Sequence, residues 1–300
     1  MNAAGLSVGL WALAVFVCAG LSGSADRALR RAAIAMAMVG LLAPLWFPAQ
    51  WVLGRFVLTA LGVLALGRTL DLVLRPTPLG FGVRLWLLIA LFDVRRATRV
   101  VARIDVAEAK WLAIHAGVVG VAMFGVVALA PELDGIAGWL LRWGFGVCFC
   151  YAAVETVHSL LWLAYRLGGI AVPRINDAPI RSTTLAEFWG RRWNRVVAGW
   201  LRDYLFLPFA RRRKSTLGVC AAFAGSTIIH FWIAWVPLDI SMGLMMGSFF
   251  VVHGIALLLE RRLAVERWPR SWQRGWTAAW LLLSSPLFVE PALRIYFAWM

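Results

Sequence analysis

Two side chains in this 300-residue sequence read as serving one reaction inside a membrane. His230 is a single imidazole within the apolar run Ile228-Ile229-His230-Phe231-Trp232. Asn194 lies 36 positions before it and closes the run Leu185-Ala186-Glu187-Phe188-Trp189-Gly190-Arg191-Arg192-Trp193-Asn194. An imidazole so placed can take a proton from a hydroxyl. A carboxamide offers both a donor and an acceptor to a neighbour. Ionisable residues are rare inside membrane-spanning segments, so His230 reads either as part of a site or as a structural histidine bonded to a neighbouring carbonyl. His253, in a later apolar run, is the rival base, and Glu155 and His158 form a polar pair three residues apart. That spacing occurs in carboxylate-bridged metal sites, which need a second such pair. This sequence lacks one, so a hydrogen-bonded pair facing the bundle interior is expected and no metal is assigned.

The elements that must position these groups belong to a bilayer. With 62% hydrophobic residues, 15% charged residues and 18 tryptophans, the chain is too apolar for a soluble domain. The fold class expected is all-α: a polytopic transmembrane helix bundle of about eight spans with in-plane amphipathic helices, forming one integral membrane domain over 1–300. Its motif-bearing core is 182–236. The spans read as Gly5 to Leu21, Ala32 to Phe47, Trp51 to Leu74, Trp111 to Ala130, Gly138 to Tyr165, Thr216 to Val236, Ile240 to Leu259 and Gly275 to Phe297. The first has the reverse of a signal peptide's charge order, since Arg27, Arg30 and Arg31 follow it and no Lys or Arg precedes it. Val83 to Phe92 is too short to cross and reads as a half-buried or interfacial helix. Within the third span, Arg68 and Asp71 are close enough to pair on one helix face, with snorkelling towards the interface the plainer account.

From 184 to 209 the apolar residues Leu185, Phe188, Trp189, Trp193, Val196, Val197, Trp200, Leu201 and Tyr204 recur at spacings of three and four. That periodicity predicts one amphipathic helix lying along the membrane surface, with Glu187, Arg191, Asn194, Arg195 and Arg202 on the other face. Thr184 with Glu187 three residues later fits a capping box at its start. If the following span begins near Thr216, His230 lies about 21 Å along it. An interfacial Asn194 is then too far away, so either the 184–209 stretch dips into a protein-lined cavity or the span begins later.

The decapeptide 185–194, the lone His230 in the next apolar helix, Trp200-Leu201-Arg202-Asp203-Tyr204 and Pro208 together resemble the wax-synthase branch of the membrane-bound O-acyltransferase (MBOAT) family. The resemblance covers about 55 of the 300 residues. It implies that Asn194 and His230 are the catalytic pair of an acyl transfer from acyl-CoA to the hydroxyl of a lipophilic alcohol. His230 is the general base and Asn194 the amide donor. Acyl-CoA is a co-substrate, and no further cofactor is implied. It further implies substrate contacts for Trp189 and Trp193 in the run, and for Arg192 either a CoA phosphate contact or a part in topology and anionic lipid binding. Arg191, Arg195 and the cluster Arg211-Arg212-Arg213-Lys214 have two accounts, phosphate binding or topology and anionic lipid. Other branches of the family acylate a sugar, polymer or peptide. A transporter or lipid-binding protein with His230 and Glu155 as polar points on a pathway is the reading from a different class.

The net charge of +15 does not point to nucleic acid, because Lys and Arg fall in short clusters between apolar runs. Segments 22–31, 75–110, 166–214 and 260–274 hold 3, 7, 11 and 5 of the 30 Lys and Arg, while loops 48–50, 131–137 and 237–239 hold none. By the positive-inside rule this alternation puts both termini outside and the Asn194 stretch in the cytosol. The composition is compatible with a GC-rich bacterium and hence an inner-membrane location. Cys18, Cys148, Cys150 and Cys220 all sit in apolar runs and read as small buried hydrophobes.

Overall fold

The computed structural model describes residues 2–298. Its helices are α1 (Ala3–Leu21), α2 (Arg27–Leu42), α3 (Val52–Leu74), α4 (Phe81–Ile89), α5 (Val106–Phe124), α6 (Gly135–Leu167), α7 (Leu185–Glu187), α8 (Arg195–Leu201), α9 (Leu207–Ala210), α10 (Ser215–Trp235), α11 (Ile240–Arg262) and α12 (Arg270–Tyr296). A two-residue pairing, β1 (Thr98–Arg99) with β2 (Ile170–Ala171), joins the ends of two loops. Eight of the helical stretches are long and apolar enough to cross a membrane, at the places the hydropathy predicts. The protein is an all-α polytopic membrane protein. By contacts the chain divides into two compact units, Met1–Arg95 with Ile228–Leu244 and Arg294–Met300, and Arg96–Thr227 with Met245–Leu293.

In the first unit α1, α2 and α3 meet through small side chains. Ala14, Ala19, Ala33 and Ala37 are buried, and Gly62 lies so close that a Cβ there would stand 3.2 Å from the Gly40 carbonyl oxygen. Lipid offers no hydrophobic penalty for leaving helices apart, so close approach of backbones and interhelical hydrogen bonds must hold them. Ser7 Oγ donates to Ala43 O at 2.5 Å and Cys18 Sγ to Ala33 O at 3.2 Å. The short α4 tucks Leu87 and Leu88 wholly inside, as a helix of 9 residues that does not span. Arg68 and Asp71 do not snorkel. Both are buried, Asp71 meets Arg95 at 2.5 Å and Arg68 lies 3.9 Å from Asp93. Burial alone would raise the Asp93 carboxyl, but Arg95 and Arg68 hold it below the usual carboxylate range.

In the second unit α5 and α6 run antiparallel, since Ser159 meets Glu108 at one end and Phe145 lies against Gly125 at the other. A turn of π-helix at Gly125–Leu129 extends α5 towards the acidic loop. α11 and α12 are also antiparallel, with Phe249 on Phe288 and His253 on Ser284. α12 contains Pro286, which removes the N–H that the Leu282 carbonyl would receive in a regular helix. Ser285 Oγ donates to that carbonyl at 2.7 Å instead. Such substitution is required where no water reaches the backbone. Cys148 and Cys220 are exposed and not buried as the sequence implied. In a bilayer an apolar exterior is favourable, so membership of an apolar run does not report burial.

α6 approaches α12 at Gly146, where an added Cβ would lie 2.4 Å from Val289 Cγ1 and 3.0 Å from Leu293 Cδ1. Gly144, two residues away, has open space. Gly146→Val is therefore expected to lower the melting temperature of the detergent-solubilised protein, by an overpacking cost of about 1–3 kcal/mol. Gly144→Val is expected to leave it close to wild type, as read by fluorescence-detected size exclusion after heating.

Candidate active site

The stretch expected to form one amphipathic helix over 184–209 is broken in the structure. It consists of α7, a π-helical turn at Phe188–Arg192, an extended Trp193, Asn194 in the left-handed region at φ 38° and ψ 61°, α8, a second π-turn at Arg202–Phe206 and α9. The break has a definite cause. In a continuous helix the Arg192 carbonyl and the Arg195 N–H would bond within the helix. Here Asp177 N donates to Arg192 O at 2.9 Å and Arg195 N donates to Ile175 O at 2.8 Å. The N–H between them, Asn194 N, donates to Asn176 Oδ1 at 2.8 Å. The segment 175–177 thus takes over the backbone groups of 192–195. Periodicity reports only which residues share a face, so it cannot reveal this.

The segment that makes these bonds is itself docked on α5 and α6 by alternate residues, as an extended chain allows. Trp162 Nε1 donates to Val172 O at 3.2 Å. Arg174 Nη2 lies 2.5 Å from Glu108 Oε2, whose other oxygen accepts from Ser159 Oγ at 2.6 Å, and Asn176 Nδ2 donates to Glu155 Oε1 at 2.9 Å. Glu155 is therefore a hydrogen-bonded polar group of the interior, as expected, but its partner is Asn176. His158 is buried in the same helix.

The start of the motif is gripped from α11 and α12. Thr184 caps α7, its hydroxyl accepting from Glu187 N at 3.0 Å, and Glu187 Oε2 accepts from Thr183 N at 2.8 Å. The capping box expected from Thr184 and Glu187 is present, with the carboxylate reaching one residue further back than usual. Glu260, buried on α11, accepts from Leu185 N at 2.7 Å and Ala186 N at 3.0 Å, which satisfies two N–H groups that a helix start leaves unpaired. Thr277 Oγ1 donates to Thr183 O at 2.9 Å. Glu260, Thr277 and Asn176 were not singled out in the sequence. They act over 18 to 94 positions along the chain, and no local pattern marks such partners.

Among the residues expected to touch substrate, Trp189 sits in an aromatic cluster with Phe188, Phe223, Phe249 and Phe250, and its Nε1 donates to His253 Nδ1 at 3.2 Å. Trp193 stacks on Phe188, with ring centroids 5.7 Å apart, and on Tyr151 at 6.3 Å. Arg192 Nε donates to Glu187 Oε1 at 2.7 Å and its Nη1 to Asp177 O at 2.9 Å, so it ties the π-turn to the 175–177 segment. Arg191, Arg195 and Arg211 to Lys214 are exposed.

His253 is accounted for by these bonds. The Trp189 indole can only donate, so Nδ1 accepts and the ring proton lies on Nε2, which faces Ser284 Oγ at 2.9 Å. Ser284 Oγ in turn donates a hydrogen bond to Trp280 O at 2.6 Å. A neutral imidazole with both nitrogens engaged is a brace for Trp189. It is not poised to accept a proton.

Asn194 is half-buried, and its Oδ1 accepts from Val197 N at 3.3 Å, capping α8. With the oxygen so used, Nδ2 is the end of the amide that can still donate. Asn tolerates the left-handed conformation better than most side chains, which suits a residue that must turn the chain and present an amide at once. His230 is half-buried in α10, which begins at Ser215. A later start of that span, one of the two resolutions of the depth problem, is therefore excluded. Gly218 and Gly225 of α10 let the 201–206 segment approach, the former within 2.8 Å of Phe206 O for an added Cβ.

A polytopic helical membrane protein with an amide at the break of one helical stretch and an imidazole within a spanning helix is the class so far defined. Residues 172–252 match the family described as membrane bound O-acyl transferase. The sequence is 30% identical over 139 residues to a probable long-chain-alcohol O-fatty-acyltransferase 2 of Arabidopsis thaliana, covering 40% of this chain and 40% of that one. It is 30% identical over 154 residues to the plant's probable long-chain-alcohol O-fatty-acyltransferase 3, covering 46% and 44%. It is also 28% identical over 116 residues to a probable alginate O-acetylase of Pseudomonas fluorescens, covering 35% and 20%. The chain is related to the membrane bound O-acyl transferase family through this segment, and it spans less than half the length of these relatives.

Glu187 gives the motif a pH signature. Burial alone would raise its carboxyl, but the N–H and O–H of Thr183 and the Arg192 guanidinium outweigh that and hold it below the ordinary 4.5. A carboxylate whose folded value is depressed contributes stability above the unfolded value and loses it as pH falls through the folded one. The melting temperature should accordingly fall as the pH is lowered from about 5 to about 3, and Glu187→Gln should flatten that fall.

Proposed function

We propose that the protein transfers an acyl group from acyl-CoA to the hydroxyl of a lipophilic alcohol, with His230 as general base and Asn194 as amide donor. The observation that carries this reading is the family match over 172–252, which contains both residues in the order the resemblance requires. His230 takes the proton of the alcohol as its oxygen attacks the thioester carbonyl carbon. The oxyanion of the tetrahedral intermediate accepts from Asn194 Nδ2. When the C–S bond breaks, the imidazolium returns the proton to the departing CoA thiolate and the ester is released. The Nδ2 role is supported by the commitment of Oδ1 to the α8 cap.

Trp189 and Trp193 are assigned to the walls of the acyl-donor site, with Arg192 and the exposed arginines beside it meeting the CoA phosphates from the cytosolic face. A long acyl chain gains about 0.8 kcal/mol per CH₂ removed from water, which favours chemistry among helices. We assign the protein to a bacterial inner membrane on a composition, rich in Ala, Arg, Trp and Gly and poor in Lys, that is compatible with a GC-rich bacterium. The relative named as an alginate O-acetylase supports a second reading, in which the acceptor is a polar polymer hydroxyl and the acyl group short.

Purified protein in detergent, given palmitoyl-CoA and a panel of fatty alcohols, sterols and polysaccharides, should yield an ester with a lipophilic acceptor by mass spectrometry. Acetylated polysaccharide from acetyl-CoA, with no lipophilic ester, would establish the second reading. Asn194→Ala is expected to lower kcat by about 10²- to 10³-fold. His230→Ala should lower it by about 10²- to 10⁴-fold, with the elution profile unchanged.

A further inference from the structure

Asn194 has the conformation that needs the most support in the motif, and the support comes from one buried side chain. Asn176 is 3% exposed and spends both ends of its amide on two neighbours. Its Oδ1 accepts from the Asn194 backbone N–H at 2.8 Å, and its Nδ2 donates to Glu155 Oε1 at 2.9 Å. A carboxamide is nearly symmetric in shape, and its two neighbours together fix which way it faces: the Asn194 N–H can only donate, so it requires the oxygen. Glu155 holds the other end, its Oε1 accepting from the NH₂ group, so the amide is fixed from both sides. Glu155 is buried on α6, which fixes the arrangement to a long helix and not to a loop.

We infer that Asn176, held by Glu155, is a positioning residue that holds the Asn194 peptide in its left-handed turn and thereby aims the Asn194 side chain. The inference rests on the reading of Asn194 as the amide donor. The neighbouring bonds Asp177 N to Arg192 O and Arg195 N to Ile175 O do not involve the Asn176 side chain, so they keep the two segments joined when that side chain is changed. What is lost is the anchor at position 194 itself. A misplacement of about 1 Å in a reacting group can cost roughly 100-fold in rate.

The test is a donor–acceptor swap, assayed with palmitoyl-CoA and hexadecanol. Asn176→Asp keeps an acceptor for the Asn194 N–H but sets two carboxylates against each other, and is expected to lower kcat by roughly 10- to 100-fold with KM for the acyl donor nearly unchanged. Adding Glu155→Gln restores one donor and one acceptor between the two positions. The double variant should recover most of the rate. Combining Asn176→Asp with Asn194→Ala should lower kcat no further than Asn194→Ala alone, because one residue acts through the other. A fall of equal size in both backgrounds, or a double variant as slow as Asn176→Asp, overturns the inference while leaving Asn194 as donor. Wild-type turnover by Asn176→Asp does the same. Wild-type turnover by Asn194→Ala overturns the donor reading and the inference with it. Melting temperatures of all variants separate slowed chemistry from lost folding.

Discussion

The structure around the motif follows from one constraint: in apolar surroundings each backbone N–H and C=O must find a partner inside the protein. An unbroken helix meets that constraint by itself. A helix that stops at Trp193 and restarts at Arg195 does not, and the chain resolves the break by laying the 175–177 segment alongside it. The same logic recurs where Glu260 takes the free N–H groups at the start of α7, and where Ser285 replaces the N–H missing at Pro286. Several of the polar side chains buried in this protein serve the backbone.

That economy gives a structural duty to residues whose role the sequence leaves open. His253 and His230 each stand alone in an apolar helix. His253 is engaged on both ring nitrogens by Trp189 and Ser284, which consumes its capacity for proton transfer. Glu155 and Glu108, on the other side of the motif, are acceptors for the segment that carries Asn176 and Arg174. The network therefore assigns structural duty to several ionisable groups.

The eight spans, the short α4 and the Thr184 cap were legible in the sequence because each depends on local composition or on residues within four positions. The break at Asn194 was not. The apolar spacing from Leu185 to Tyr204 fits a regular helix, and what overrides it lies in residues 175–177. The asparagine was still found, because its type and company resemble a known motif. Asn176 has no such company: it sits between Ile175 and Asp177 in a polar connection, and only its two hydrogen bonds give it meaning. Arg68 and Asp71 were misjudged for a related reason, since their counter-charges come from a loop more than twenty residues on.

Glu260 also ties the motif to the order in which the chain is made. Residues 183 to 194 leave the ribosome well before the carboxylate that receives Leu185 and Ala186, and before the imidazole and the threonine that secure Trp189 and Thr183. These anchors all lie beyond residue 252, where the family match ends. During insertion the nascent motif must wait, incompletely bonded, until the last two helices enter the bilayer, so its final shape is a late event in biogenesis.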